Sequence, residues 1–473
     1  MELKRTKIVA TLGPASSSVE VIKEMYDKGL NVCRLNFSHG DHGVHEENIK
    51  RVQQVNNEIN SNIAILADLQ GPKLRVGAME NEGCEIKNGD KITFTNKECL
   101  GTAKKVFMTY QNFARDVKPG ELILIDDGKL AVKVESSNGL DEVIAVVEHG
   151  GVLKSKKGVN LPNTKISLPS LTKKDKEDLD YILTQDIEWV ALSFVRSAQD
   201  IIELRNVIKE SGKNLKIIAK IEKPEAIDDI DDIVNESDAI MVARGDLGIE
   251  VPYQDVPLLQ KMMVKKCLKA SKPIIVATQM MESMIDGITP SRAEVNDVAN
   301  AVMDGADAVM LSGETSVGKH PGLVVETMTN IVKKVEEYDD IYNHDYLPIY
   351  REERFISDNI CVSAVSLAER VNAKAIITMT ASGYTARKIS SQRPRAFTYV
   401  YTSNKAILNM LNLVWGVQAF YYDNSTSTDK NIDDIKNSLI DKGVVKEGDF
   451  FINIASMPIK EKGKTNTLKL SQA

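Results

Sequence analysis

Eight short apolar runs, most of them followed by a helix-like segment, constrain this chain more than any other feature. They span residues 8–10, 31–35, 63–67, 189–192, 217–221, 239–242, 274–277 and 308–311. The first is followed by a helix signal. Ser17 and Glu20 have the S-x-x-E spacing of a capping box, Val19, Ile22, Met25 and Tyr26 form an apolar stripe, and Gly29 ends it. Ser197 with Asp200, and Ser291 with Glu294, repeat the capping signal. Eight strand-then-helix units predict a (β/α)8 barrel. An open doubly wound sheet satisfies the same count and is the competing arrangement.

The series is interrupted once. Residues 71–167 read as short strands with tight turns, with Asp127-Gly128 and Asn138-Gly139 as hairpin signals. Leu130, Val132 and Val134 form one face of a strand, and Leu122 and Leu124 are read as another. The barrel therefore comprises 1–70 and 168–342, with an all-β domain inserted at 71–167. A polar and aromatic connector at 342–354 opens a third unit, 343–473. Its helix at 359–371 and strand at 375–379 begin a C-terminal α/β domain.

A net charge of −7 argues against nucleic acid as the main partner, because phosphate backbones need a basic surface. Small anions are still admissible, since a few cations reverse the field inside one cleft. The five cysteines, Cys33, Cys84, Cys99, Cys267 and Cys361, have no C-x-x-C spacing and suit inert thiols in a reducing compartment. No apolar stretch approaches the ~18 residues of a membrane span, and the first residues carry no apolar leader. The expectation is a cytoplasmic protein with no membrane partner.

In a barrel of this kind the active site lies at the C-terminal ends of the strands. There the sequence places Arg34, Asn36, Ser38 and His39, then Asp68, Ser193, Lys220 and Glu222, then Arg244, Gly245 and Asp246, then Thr278, and finally Glu314. Two carboxylates, Glu222 and Asp246, suit Mg²⁺, a hard ion that takes oxygen ligands, although each alone is as readily a solvated loop residue. Lys220 precedes Glu222 by two residues, so in a strand both point the same way. A lysine there can stabilise a transferring phosphoryl group, or can snorkel to water. Gly245-Asp246-Leu247-Gly248, read as a turn before a helix, lets backbone N–H groups approach an anion. Arg34, His39 and Arg75 add donors near the same rim.

Several segments together resemble the pyruvate kinase family. They are Arg-Leu-Asn-Phe-Ser-His at 34–39, Lys-Ile-Glu at 220–222 and Met-Val-Ala-Arg-Gly-Asp-Leu-Gly at 241–248. Ala-Thr-Gln-Met-Met-Glu-Ser-Met at 277–284, Arg-Ala-Glu-Val-Asn-Asp-Val-Ala-Asn-Ala at 292–301 and Met-Leu-Ser-Gly-Glu-Thr at 310–315 follow in family order. Ser-Lys-Lys-Gly-Val-Asn-Leu-Pro at 155–162 resembles the end of the family's mobile domain. The resemblance implies transfer of the phosphoryl group of phosphoenolpyruvate to ADP, the last step of glycolysis, by a homotetramer whose inserted domain closes over the site. It implies that Arg34 binds the substrate phosphate, Lys220 stabilises the phosphoryl in flight, and Glu222 and Asp246 hold Mg²⁺, for which Mn²⁺ can substitute. It also implies that the backbone of Gly245 and Asp246 with Thr278 takes the substrate carboxylate. Asn36, His39, Arg75 and Lys157 are implied around the nucleotide phosphates. Two other readings compete. Another phosphoenolpyruvate or oxaloacetate enzyme could share the metal pair but would not explain the inserted domain or Lys220. A non-catalytic relative would not need the charged set.

Two finer expectations follow. Many relatives hold K⁺ with residues matching Asn36, Ser38, Asp68 and the Leu69 carbonyl, and carry a glutamate where this chain has Lys73. Leu69, Gln70 and Val76 depart along with it, as in the family branch that works without the ion, so Lys73 is expected to replace K⁺. Thr380, Ala381, Ser382, Gly383 and Thr385 follow a strand and open a helix, a setting that cradles phosphate. They resemble the family's effector loop, and the expected ligand is a sugar phosphate or nucleotide. The segment 457–466 departs from the glycine-rich loop of many relatives, which leaves the effector's identity open.

Overall fold

The structure is a computed structural model describing residues 3–344, 346–348, 353–423, 428–457 and 465–473. Eight parallel strands close into a barrel. They are β1 (Lys7–Thr11), β2 (Val32–Asn36), β3 (Ala64–Asp68), β13 (Trp189–Leu192), β14 (Lys216–Ile221), β15 (Ala239–Ala243), β16 (Ile274–Ala277) and β17 (Ala308–Leu311). Their order, β1-β17-β16-β15-β14-β13-β3-β2, rules out the open sheet.

Between β3 and β13 the chain builds the inserted β-structure. It comprises β4 (Leu74–Arg75), β5 (Gly83–Ile86), β6 (Lys91–Thr95), β7 (Lys105–Phe107), β8 (Leu122–Ile125), β9 (Leu130–Ser137), β10 (Glu142–His149), β11 (Gly151–Lys154) and β12 (Gly158–Asn160). Seven of these form one sheet, β4-β12-β8-β9-β10-β6-β7, while β11 pairs β5. After the barrel, β18 (Ala375–Met379), β19 (Phe397–Thr402), β20 (Val417–Tyr421), β21 (Phe450–Ala455) and β22 (Thr467–Gln472) make a sheet of order β20-β19-β18-β21-β22, with only β22 antiparallel.

Several local expectations need correction. The helix Val19–Lys28 is capped by Ser18, whose side chain accepts from Val21 N, rather than by Ser17. Adjacent serines both offer a cap, and the backbone takes the one that lets Ile22 and Met25 face the core. In β8 the buried residues are Ile123 and Ile125, not Leu122 and Leu124. The helix expected from residue 359 starts earlier, as Phe355–Arg370. Gly245 and Gly248 lie inside the helix Arg244–Glu250 instead of preceding one, because Leu247 is buried against the barrel and packing overrides glycine's poor propensity. The capping boxes at Ser197 and Ser291 both form.

Strand periodicity explains where the core ends and the site begins. Residues such as Ile8, Cys33, Ile65, Val190 and Ile217 face the helices, whereas Val9, Val32, Leu66, Ala191 and Ile218 join the other core cluster. Moving two residues along each strand keeps the same face. The second series therefore continues into Thr11, Arg34, Asp68, Ser193 and Lys220 at the C-terminal ends.

The opposite end is sealed by the C-terminal unit. Met410, Leu411, Leu413, Val414 and Val417 pack in one cluster with the second strand series. Asp307 and Arg393, both buried, pair at 3.0 Å, and Arg393 stacks over Trp415. Lys7 donates to the Val417 carbonyl at 2.8 Å. Glu188 bridges the units: Oε2 accepts from Ile65 N at 2.7 Å and Oε1 from Asn409 Nδ2 at 2.9 Å.

Desolvation pushes the Glu188 carboxyl from the usual range near 4.5 up to about 7. The folded chain then binds more protons than the unfolded one between those values, so stability falls as pH rises through that window. Chemical unfolding at a series of pH values should show this slope, and Glu188→Gln, which cannot ionise, should flatten it.

Candidate active site

Four charged side chains and two hydroxyls meet at the C-terminal end of the barrel. Arg34 Nε donates to Asp68 Oδ2 at 2.7 Å, and its Nη1 donates to Thr11 Oγ1 at 2.9 Å. Lys220 Nζ lies 3.2 Å from Asp68 Oδ1, 3.0 Å from Glu222 Oε1 and 2.6 Å from Ser193 Oγ. Glu222 Oε2 accepts from Phe194 N at 2.7 Å. Lys220 therefore does not snorkel; it is held between two buried carboxylates.

The charges tune one another. Burial alone would raise Asp68, but Lys220 and Arg34 overcome it and hold the carboxyl below its usual range. Burial would likewise lower Lys220, and Asp68 and Glu222 reverse that and raise it. Glu222 is raised, by burial first and by the Asp246 carboxylate, with Lys220 opposing. Two cations balance Asp68 and Glu222, which leaves Asp246 as surplus negative charge beside Glu222. That surplus is what a divalent cation would relieve. No cluster of three or more His, Cys, Asp or Glu forms a closed cage among the described residues. Two carboxylates with room for water and substrate oxygens fit Mg²⁺, which keeps part of its own shell.

Thr278 stands across the mouth. Its Oγ1 accepts from Gly245 N at 2.7 Å and donates to Ala277 O at 2.6 Å. Its φ of 68° is unusual for a β-branched residue. Arg244 supports it: Nη2 donates to Thr278 O at 2.8 Å, and both Nη atoms bind Asp297 at 2.6 Å. Asp297 was not singled out from the sequence. It sits on the helix Arg292–Asp304, and spacing alone gives no sign that it pairs with Arg244.

Around the rim, His39 is lowered by burial and then by Lys73, Arg75 and Arg34, so these cations converge on it. Arg75 Nη1 donates to Lys156 O at 3.0 Å, and Lys157 pairs with Asp126 at 2.8 Å. Arg75 and Lys157 are carried by the inserted β-structure. Lys73 lines the cleft that also contains Asp246, with Asp127, Asn160, Lys223 and Glu250.

The monovalent-ion positions are internally bonded. Asn36 Oδ1 accepts from Ser38 N at 3.1 Å, and Leu69 O accepts from Ser193 Oγ at 2.7 Å. The cationic partners of Asp68 are Arg34 and Lys220, not Lys73. In the C-terminal unit, Thr380 Oγ1 accepts from Gly383 N at 3.1 Å, Ala381 O accepts from Asn404 Nδ2 at 2.9 Å, and Ser382 Oγ accepts from Tyr384 N at 3.4 Å. Gly383, at φ 76°, caps the helix Tyr384–Ser391, and Thr385 Oγ1 lies 2.9 Å from Thr465 Oγ1. Residues 458–464, within the segment that departs from the glycine-rich loop of many relatives, lie outside the described residues.

A closed barrel with paired charges at the strand ends, beneath an inserted β-structure, defines a barrel enzyme built to handle anionic substrates. Residues 3–325 match the family described as pyruvate kinase, barrel domain, and residues 358–471 match pyruvate kinase, alpha/beta domain. The chain is 43% identical to the pyruvate kinase of Corynebacterium glutamicum, over 98% of this chain and 97% of the relative. It is 41% identical to that of Geobacillus stearothermophilus, over 99% of this chain and 80% of the relative. A crystal structure of a pyruvate kinase from Cryptosporidium parvum superposes with a TM-score of 0.93 at 35% identity, covering 99% of this chain and 96% of that one. The chain belongs to the pyruvate kinase family.

Proposed function

We propose that this chain transfers the phosphoryl group of phosphoenolpyruvate to ADP, giving pyruvate and ATP. The observation that carries the reading is the Lys220 ammonium, fixed between Asp68 and Glu222 with Asp246 alongside. In this reading Arg34 binds the phosphate, and Lys220 meets charge developing on the phosphoryl as its bond to the enol oxygen breaks and a bond to the ADP terminal oxygen forms. Arg34 and Lys220 are already paired, so little reorganisation is needed at the moment of transfer. The backbone of Gly245 and Asp246 with Thr278 orients the carboxylate. The enolate left behind takes a proton at carbon. A threonine hydroxyl is too weak an acid to supply it alone, so Thr278 orients a water chain that does. Glu222 and Asp246 would hold Mg²⁺, or Mn²⁺ in its place, which when bound neutralises phosphate and enolate charge. Asn36, His39, Arg75 and Lys157 surround the nucleotide phosphates. No helix among the described residues is long and apolar enough to cross a membrane. A cytoplasmic homotetramer acting in glycolysis, with a barrel at 1–70 and 168–342, a closing β-domain at 71–167 and an effector domain at 343–473, completes the proposal. Pyruvate formation that requires both phosphoenolpyruvate and ADP tests it.

Lys220→Met should keep the fold and Mn²⁺ binding while lowering kcat by ~10³-fold or more, the scale for removing a transition-state charge partner. Steady-state assay with a parallel Mn²⁺ titration checks this, and near-normal turnover would refute the role.

An anionic effector should bind the loop 380–385. Ser382→Asp would place a like charge there and abolish activation by any sugar phosphate or nucleotide. Activation that persists in this variant moves the site elsewhere.

The enzyme should need Mg²⁺ but not K⁺. Lys73, Leu69, Gln70 and Val76 support this, since an ammonium can take over a monovalent ion's electrostatic role beside phosphate. In Mg²⁺ with tetramethylammonium as the only other cation, activity should change little when KCl is added at constant ionic strength. A rise of about tenfold or more would sink the idea, and Lys73→Glu should create K⁺ dependence.

A further inference from the structure

A second polar cluster lies in the wall of the same cleft and has no part in the scheme above. Glu250 Oε1 lies 2.8 Å from Lys223 Nζ and accepts from Asn160 Nδ2 at 2.9 Å. All three residues are buried, at 4%, 5% and 8% exposure respectively. Glu250 Oε2 is also buried and has no hydrogen-bond partner among the described residues. Both donors therefore converge on one oxygen.

Each member is tied to a different part of the proposed site. Lys223 directly follows Glu222. Glu250 is one helical turn beyond Asp246 on the helix Arg244–Glu250, the i,i+4 spacing that places two side chains on one face. Asn160 ends β12, two residues after Gly158 and three after Lys157. Strand β12 also pairs with β4, with Gly158 opposite Arg75 and Val159 opposite Leu74. One buried carboxylate oxygen thus joins β12, which follows directly on Lys157 and pairs with the strand carrying Arg75, to the barrel segments carrying Glu222 and Asp246.

Core filling alone does not account for this choice of residues. A buried ion pair is often no more stabilising than apolar side chains of similar volume. An unpartnered carboxylate oxygen beside it adds a desolvation cost. What a polar joint supplies is direction, because a hydrogen bond fixes distance and angle where apolar packing tolerates sliding. We propose that Glu250, with Lys223 and Asn160, is a positioning cluster that sets the height and tilt of the inserted β-structure over the metal carboxylates, and so sets nucleotide affinity. None of the three touches the reacting atoms. Loss of the Asn160 bond frees β12 and with it Arg75 and Lys157, while Lys220, Glu222 and Asp246 keep their places.

The proposal rests on the phosphoryl-transfer reading and makes a prediction separable from it. Asn160→Ala removes the bond to the inserted strand but leaves the Lys223–Glu250 pair intact. The double variant Lys223→Met/Glu250→Met removes both buried charges together, which avoids stranding either one, and also removes the oxygen that accepts from Asn160. Each should raise KM for ADP about tenfold, with KM for phosphoenolpyruvate changed less than about twofold and kcat less than about threefold. Combining all three changes should raise KM for ADP no further, since one joint is already broken. Hydrogen exchange should quicken at residues 74–76 and 158–160 in the same variants. If the melting temperature falls while KM for ADP stays put, the cluster is merely structural and the proposal is overturned. Additive effects in the combined variant overturn it too. An unmodified enzyme that makes no pyruvate from phosphoenolpyruvate and ADP overturns this and the parent reading together.

Discussion

Asp68 is a carboxylate with almost no water around it, and the rest of the site is arranged to make that tolerable. It is 1% exposed and in contact with Arg34 and Lys220. An isolated charge in such a place would cost several kcal/mol, and removing one partner of a buried pair typically costs about 3–5 kcal/mol. Arg34 and Lys220 offset Asp68, Glu222 offsets the second cation, and Asp246 is left over. Net charge in the barrel mouth is thus set by a chain of pairings that starts at one residue of β3. The same pairings keep Lys220 protonated where a lone buried lysine would release its proton.

The barrel makes this pairing possible through the two-residue period of a strand. Apolar Val32, Leu66 and Ile218 lie below, and Arg34, Asp68 and Lys220 lie above on the same face. Register staggers them by two residues from strand to strand, since Ala191, opposite Asp68, is itself opposite Ile218. Arg34 pairs with Leu66 and Lys220 with Met241, while Asp68 faces Asn36 on one side and Ala191 on the other. The plug of Met410, Leu411 and Val414 at the other end, with the Asp307–Arg393 pair, keeps that column of side chains dry from below.

Much of this was readable in the sequence, and the misses have physical causes. Strands β13, β16 and β17 coincide with their apolar runs because a parallel barrel buries both faces of a strand. Where four apolar residues stand together, as in Leu122-Ile123-Leu124-Ile125, no alternation exists to show which pair faces inward. Ser17 and Ser18 are both competent caps, and only burial of Ile22 and Met25 decides. Lys73 is flagged by Leu69, Gln70 and Val76 around it, whereas the two cations bonded to Asp68 come from β2 and β14. The Arg244–Asp297 and Asn160–Glu250 contacts were invisible because their partners are 53 and 90 residues apart and obey no local spacing.

The helix Arg244–Glu250 shows how few backbone units carry this arrangement. Within seven residues it presents Arg244 to Asp297 and the Thr278 carbonyl, the Gly245 amide to the Thr278 hydroxyl, Asp246 to the surplus charge beside Glu222, and Glu250 to Lys223 and Asn160. Thr278 needs such support, since a β-branched residue at φ 68° stays there only when its surroundings over-determine it. A Cβ at Gly245 would lie 3.3 Å from Thr278 Oγ1, so a larger residue there would press on that hydroxyl. A helix this short has little intrinsic stability. Its position comes instead from the buried Leu247 and from the polar contacts at both its ends. Through Asn160 and Glu250 the inserted strand β12 is therefore bonded to the same short turn that carries Asp246 and the Gly245 amide.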